Sequence, residues 1–321
     1  MIEAKDVAVL IIAYRRHQSL NRILDLCKEN GVERVYVAID GPRTNSQDGT
    51  EDNLKIVDVI SNFINHFEGN VYFMNREFNV GCATSVLSAC DWVFENEKFA
   101  MILEDDCIPS SDFFNYSRKS LEVMTNDKRI WLSCGTQFAP PSSETDEWFL
   151  SKYPLTWGWS TNRENWNQIS IALKNQKKFN SSNLSFSEKV YWNAGARRAY
   201  DGWVDVWDTI LAQQLLVMNR LVLLPKNSLV TNIGDDSVAT HTFGPSKWIG
   251  VKTGTFNSPI GNPKYESKID LWLRNEFFKI KHRHLITTKL TFLRDFLLRF
   301  KKPLAPLKER CRLGEIKKIE P

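Results

Sequence analysis

Apolar residues fall into two alternating patterns over the first 135 positions. Runs with almost no polar break, Val7 to Tyr14, Val35 to Ile39, Val71 to Met74, Phe99 to Leu103 and Ile130 to Ser133, have the length and flanks of buried strands. Between them lie segments with helical spacing: Leu20, Ile23, Leu24 and Cys27; then Leu54, Val57, Ile60 and Ile64; then 83–94 and 113–124. Strand and helix in alternation predict an α/β fold with a mostly parallel central sheet and helices on both faces. Beyond residue 135 the spelling changes. A Pro/Ser/Glu-rich stretch, 138–151, reads as a loop, 174–187 is polar, a helix with Asp201, Trp203, Asp205, Trp207 and Asp208 at its start runs towards Met218, and Leu221 to Leu224 is a late strand.

Polar groups recur just past the strands: Arg16 after the first, Asp40 after the second, and Glu104-Asp105-Asp106 after the fourth. Three successive carboxylates at a buried strand end repel one another and lose hydration, which is costly unless a cation sits among them. Hard divalent ions such as Mg²⁺ or Mn²⁺ take oxygen ligands and arrive with substrate phosphates. In open α/β sheets ligands bind at the carboxyl ends of the strands, so the pattern points to a metal-diphosphate site. A solvated acidic turn has the same spelling. The glycine fingerprint of dinucleotide enzymes and the P-loop lysine motif are both absent, so a nucleotide site would have to rest on Arg16, Asp40 and the acids.

At 321 residues, with 42% hydrophobic and 25% charged residues, the composition is that of a soluble globular protein large enough for one big α/β domain. The net charge of +4 is uneven. Residues 279–318 hold 13 Lys and Arg against 3 Asp and Glu, so the rest of the chain is acidic. Within that tail Ile286, Leu290, Leu293, Leu297 and Phe300 recur at steps of four and three beside Lys289, Arg294, Arg299, Lys301 and Lys302. This basic amphipathic helix suits an anionic membrane surface or a docked position on the domain. Basic residues confined to a tail, with no recognisable motif, exclude nucleic-acid binding. Six cysteines without paired spacing read as reduced thiols of a cytoplasmic protein, and no run approaches the ~20 apolar residues of a spanning helix. Eleven tryptophans include Trp157, Trp159 and Trp203, whose flat faces offer either core packing or stacking for sugar rings.

The ordered set of motifs resembles the GT-A glycosyltransferases related to the Golgi N-acetylglucosaminyltransferase I and to bacterial surface-polysaccharide transferases. Its centre is M-I-L-E-D-D-C-I-P-S-S-D-F-F-N-Y, 101–116. Around it, in order, come A-Y-R-R near 14, I-D-G-P at Asp40, N-V-G-C at Gly81, T-W-G-W at 156–159, D-G-W at 201–203, P-K-N-S-L-V-T-N-I-G at 225–234 and A-T-H-T at 239–242. The resemblance covers about 7–245. It implies a GT-A domain over 1–250, with a nucleotide half to about 135 and an acceptor half to 250, followed by a helical basic extension over 251–321.

The resemblance further implies a metal-dependent, inverting transfer of a hexose or N-acetylhexosamine from a nucleoside-diphosphate sugar, most simply a UDP-sugar. The acceptor would be a glycan or lipid-linked molecule of surface polysaccharide synthesis, and the enzyme would work in the cytoplasm or at the inner face of the membrane. Asp106 and His241 would hold Mn²⁺ or Mg²⁺. Glu104, Asp105 and Asp40 would lie by the base and ribose, Arg16 by base or phosphate, and Gly81 on the nucleotide loop. Asp201, or Asp205 as second choice, would be the catalytic base, and Asp208 a helix-start charge. Two rivals stand beside this reading: a sugar-nucleotide pyrophosphorylase, whose glycine-rich loop after the first strand is missing here, and a non-catalytic carbohydrate-binding or membrane-recruited scaffold.

Overall fold

The computed structural model of the chain describes residues 2–43, 47–140, 146–175, 184–234, 247–259 and 261–280. The first strand, β1 (Val7–Ala13), is buried along its whole length. Val7, Val9 and Ile11 face one apolar layer, while Ala8, Leu10 and Ile12 face the other. A strand buried on both sides has no room for polar positions, which is why its sequence is an unbroken apolar run. Helix α1 (His17–Glu29) lays Leu20, Ile23, Leu24 and Cys27 on the sheet. It ends where Gly31, at φ +68°, turns the chain so that the Val32 N–H reaches the Cys27 carbonyl at 3.0 Å.

The alternation continues as β2 (Arg34–Ile39), α2 (Gln47–Ile64), β3 (Asn70–Asn75), α3 (Cys82–Asn96) and β4 (Phe99–Glu104). These four strands pair in parallel in the order β3-β2-β1-β4, the Rossmann-like arrangement the pattern predicts. After the short β5 (Cys107–Pro109), α4 (Ser111–Asn126) leads into β6 (Ile130–Cys134).

The second half departs from simple alternation. β7 (Trp148–Ser151) and β8 (Trp159–Asn162) are followed by α5 (Arg163–Asn175), α6 (Phe186–Tyr200), α7 (Asp208–Val217) and β9 (Leu221–Pro225). β8 enters the sheet antiparallel between β4 and β6, so the nine strands among the described residues run β11 (Lys264–Tyr265), β7, β9, β6, β8, β4, β1, β2, β3. Helix α6 occupies a stretch that carries little helical periodicity. Its start is a reciprocal cap, with Ser185 accepting from the Glu188 N–H and the Glu188 side chain accepting from the Ser185 N–H. β10 (Val230–Asn232) pairs with β5 in a separate two-stranded ladder.

Residues 251–259 and 261–280, read from the sequence as the start of an extension, pack on the body. β11 (Lys264–Tyr265) pairs with the edge strand β7, and α8 (Ser267–Trp272) packs beside it. Asp270, buried, accepts from the Ser151 and Tyr265 hydroxyls, and Ile280 is also buried. No helix among the described residues is long and apolar enough to cross a membrane. The basic tail from 281 lies outside the described residues.

Candidate active site

The carboxyl ends of β1, β2 and β4 open into one cavity of about 430 Å³. Arg16, Asp40, Gly81, Glu104, Asp105 and Asp106, separated by up to 90 positions in sequence, all line it. Its volume falls within the range of small-molecule sites. Five carboxylates face two guanidinium groups there, those of Arg16 and Arg43.

The acids divide into two kinds. Asp105 is buried and turned away from solvent, accepting the backbone N–H of Tyr14 at 2.7 Å and those of Arg15 and Arg16 at 3.3 Å. Its other oxygen takes the Arg16 Nη1 at 3.3 Å. It therefore holds the loop after β1 and aims Arg16. Asp40 does the same for the loop before α3. Its oxygens accept from the Gly41 N–H at 3.0 Å, the Val80 N–H at 2.9 Å and the Asn79 amide at 2.8 Å. Burial, opposed by those bonds and by the charge of Arg76, pushes the Asp40 carboxyl up to about 6. Gly81, at φ +87°, occupies the left-handed region that favours glycine as the chain enters α3.

Glu104 and Asp106 are the second kind. Burial, the charge of Asp106 and the charges of Asp208 and Asp105 push Glu104 well above the ordinary carboxylate range. Burial and Asp105 likewise raise Asp106, whose carboxylate lies 3.8 Å from the Arg16 Nη1. Gly234 backs Asp106 so closely that a Cβ there would come within 2.3 Å of its Oδ2. Two carboxylates raised by burial and by neighbouring acids, in a cavity of excess negative charge, suit a divalent cation that completes its shell from a phosphate ligand. Among the described residues no three acid, thiol or imidazole groups form a cage of their own. His241 lies outside the described residues.

The expected catalytic bases are placed differently. Asp205 lines the cavity, yet both of its oxygens accept from the start of α3, the Cys82 N–H at 2.8 Å and the Ala83 N–H at 3.2 Å. Both oxygens are thus engaged in capping α3. Asp201 is not among the cavity residues. It closes the C-terminal end of α6, exposed, with the Arg197 guanidinium at 3.4 Å. Trp159 is 1% exposed and packs between Trp166 and Trp207, so it belongs to the core and not to a sugar surface. Trp203, half-buried, lines neither this cavity nor the aromatic cleft described below. Trp157 does line that cleft.

Sequence reasoning missed Arg43, on the cavity wall, and Arg76. Arg76, half-buried near Asp40, donates to the Ser85 and Ser88 hydroxyls at 3.2 and 2.9 Å. Each lies a few positions past a strand end, the same signal that marked Arg16.

No family model matches the chain, and no curated protein sequence matches it. Similar folds occur among solved structures. The inositol-1-phosphate CTP transferase from T. maritima has 12% identity and a TM-score of 0.40, over 75% of this chain and 94% of that one. A UDP-glucose pyrophosphorylase complexed with UDP-glucose has 6% identity and a TM-score of 0.36, over 68% and 90%. The 4-diphosphocytidyl-2C-methyl-D-erythritol synthase from Anaerococcus prevotii has 9% identity and a TM-score of 0.34, over 56% and 81%. Scores this low leave the fold to be read from its own strand order.

Proposed function

We propose that the cavity binds a nucleoside-diphosphate sugar and that the chain transfers the sugar to a glycan or lipid-linked acceptor. The observation that carries this reading is the meeting of Arg16, Asp40, Glu104 and Asp106 in one acid-rich cavity at the carboxyl edge of β1, β2 and β4. In it, the Asp40 loop and Gly81 border the nucleoside, and Arg16, aimed by Asp105, offers its guanidinium to a phosphate oxygen. Asp106, with His241 from beyond the described residues, would hold Mn²⁺ or Mg²⁺. Such an ion stabilises the diphosphate as it leaves. An acceptor hydroxyl attacking from the opposite side inverts the anomeric carbon, and the α/β body with its acidic cavity calls for no nucleic acid.

The second reading is nucleotidyl transfer. A CTP transferase and a UDP-glucose pyrophosphorylase stand among the similar structures, and an acidic cavity at a sheet edge would serve that chemistry too. Against it, the N–H groups of the loop after β1 point to Asp105, so they are not offered to a triphosphate.

One pair of assays separates the readings. With Mn²⁺, the protein is given a panel of nucleotide sugars and the release of nucleoside diphosphate is followed. It is then given nucleoside triphosphates with sugar 1-phosphates, and pyrophosphate is followed. Diphosphate release alone is the expected result. Pyrophosphate release establishes the second reading, and silence in both, with UDP bound, leaves a scaffold.

A further inference from the structure

A second cavity, about 220 Å³, opens between the loop before β8, helices α6 and α7, and the turn that ends at Phe278. Its walls are aromatic. Phe138 stacks on Phe277 with centroids 4.5 Å apart and meets Trp157 edge-on at 5.0 Å, and Tyr191 also lines the cleft. A volume this small suits one ring, not a whole nucleotide.

Two features give the cleft polar specificity. Trp192, 3% exposed and part of the lining, keeps its indole N–H without an acceptor among the described residues. A buried donor left so costs about 1–3 kcal/mol, which a ligand oxygen would recover. Asp208, exposed at the first turn of α7, stands at the rim. Its charge bears on both cavities. After burial, Asp208 is what raises the Tyr191 hydroxyl on the cleft wall, and after burial, Glu104 and Asp205 it contributes to raising the Cys82 thiol, which lines the nucleotide cavity.

Flat apolar walls, one hydrogen-bond donor and a carboxylate at the rim describe a seat for a hydroxylated ring. We propose that this cleft holds the terminal sugar of the acceptor, stacked on Trp157 and Tyr191, and that Asp208 is the catalytic base. The inference rests on the glycosyl-transfer reading. In the step, the acceptor O–H breaks and its proton passes to the Asp208 carboxylate. The oxygen's electron pair forms the bond to the anomeric carbon. The bond from that carbon to the donor's phosphate oxygen breaks, and its pair leaves with the nucleoside diphosphate.

The test uses the full chain. Binding of the methyl glycosides of glucose, galactose and N-acetylglucosamine is read by saturation-transfer NMR, UDP binding with Mn²⁺ by calorimetry, and turnover by diphosphate release with the glycoside that binds. At least one glycoside should bind the native chain, and Trp157→Ala should weaken it about tenfold or more while UDP affinity holds. Asp208→Asn should keep both affinities and lower kcat about 10²–10⁴-fold, with loss of the acidic limb of the pH profile. Unchanged UDP affinity reports that each variant is folded. Turnover of Asp208→Asn within threefold of native, or glycoside binding indifferent to Trp157→Ala and Tyr191→Ala, overturns the proposal and leaves the function standing. A native chain that neither binds UDP nor releases diphosphate removes both.

Discussion

The carboxylate of Asp105 accepts the backbone N–H of Tyr14 at 2.7 Å, joining the carboxyl end of β4 to that of β1. Its neighbour Asp106 accepts no backbone N–H of that loop among the described residues, and burial and the charge of Asp105 raise its carboxyl. The two should therefore fail in opposite ways. Asp105→Ala strands three N–H groups and removes one carboxylate partner of the Arg16 guanidinium, and should cost about 3 kcal/mol in urea unfolding. Asp106→Ala relieves repulsion, so stability should hold within about 1 kcal/mol or rise. Its diphosphate release should fall ~10³-fold or more, about 4 kcal/mol of transition-state stabilisation. Equal stability losses in both variants would refute the division.

Asp40 makes stability depend on pH. Its carboxyl, pushed up by burial to about 6 from 3.8, binds its proton more tightly in the folded chain than in the unfolded one. The group therefore favours folding most at about pH 4 and below, and that contribution is lost as pH rises through about 6. The two-unit gap corresponds to ~3 kcal/mol. Asp40→Asn should flatten the slope of unfolding free energy between about pH 4 and 6, and an unchanged slope would assign it to other groups.

Chelation tests the cation. Five carboxylates against two guanidinium groups disfavour a diphosphate in the cavity. Calorimetric UDP affinity should drop about tenfold or more when EDTA removes Mn²⁺. In Asp106→Ala the addition of Mn²⁺ should no longer restore it. UDP binding that ignores the metal in the native chain would contradict the role given to Asp106.

Glu188 anchors the C-terminal end of the body. Burial pushes its carboxyl up, but hydrogen bonds from Lys152 at 2.8 Å, from Ser185 and from the Tyr153 hydroxyl outweigh it and hold the group at about 2. Since the folded value lies below the unfolded one, this stabilisation is full above about pH 4.5 and is lost as pH falls towards 2. Glu188→Ala leaves the Lys152 ammonium uncompensated and should cost about 3 kcal/mol by urea unfolding at neutral pH. A variant as stable as the native chain would show that the network contributes nothing net.

Much of the nucleotide half was legible because its signals are local. An unbroken apolar run such as Val7 to Ala13, short and rich in Val and Ile, spells a strand buried on both faces, and Leu20, Ile23, Leu24 and Cys27 share a face on a helix. Alternation then places the strand ends, with Arg16, Asp40 and the three acids, along one edge. The antiparallel entry of β8 was hidden, since W-S-T-N has no pattern that states its partner or direction. Helix α6 was hidden too, and only the Ser185–Glu188 cap in its sequence announces it.

By itself, then, the sequence determined the layers, the parallel start of the sheet and the edge on which charged groups gather, because periodicity and burial are properties of a residue and its near neighbours. Tertiary structure alone decided what each acid does. Asp201, Asp205 and Asp208 lie within eight positions, yet one pairs with Arg197 in solvent, one caps α3 and one faces the aromatic cleft. Carboxylates are chemically alike, and the groups the fold gathers around each one set its role.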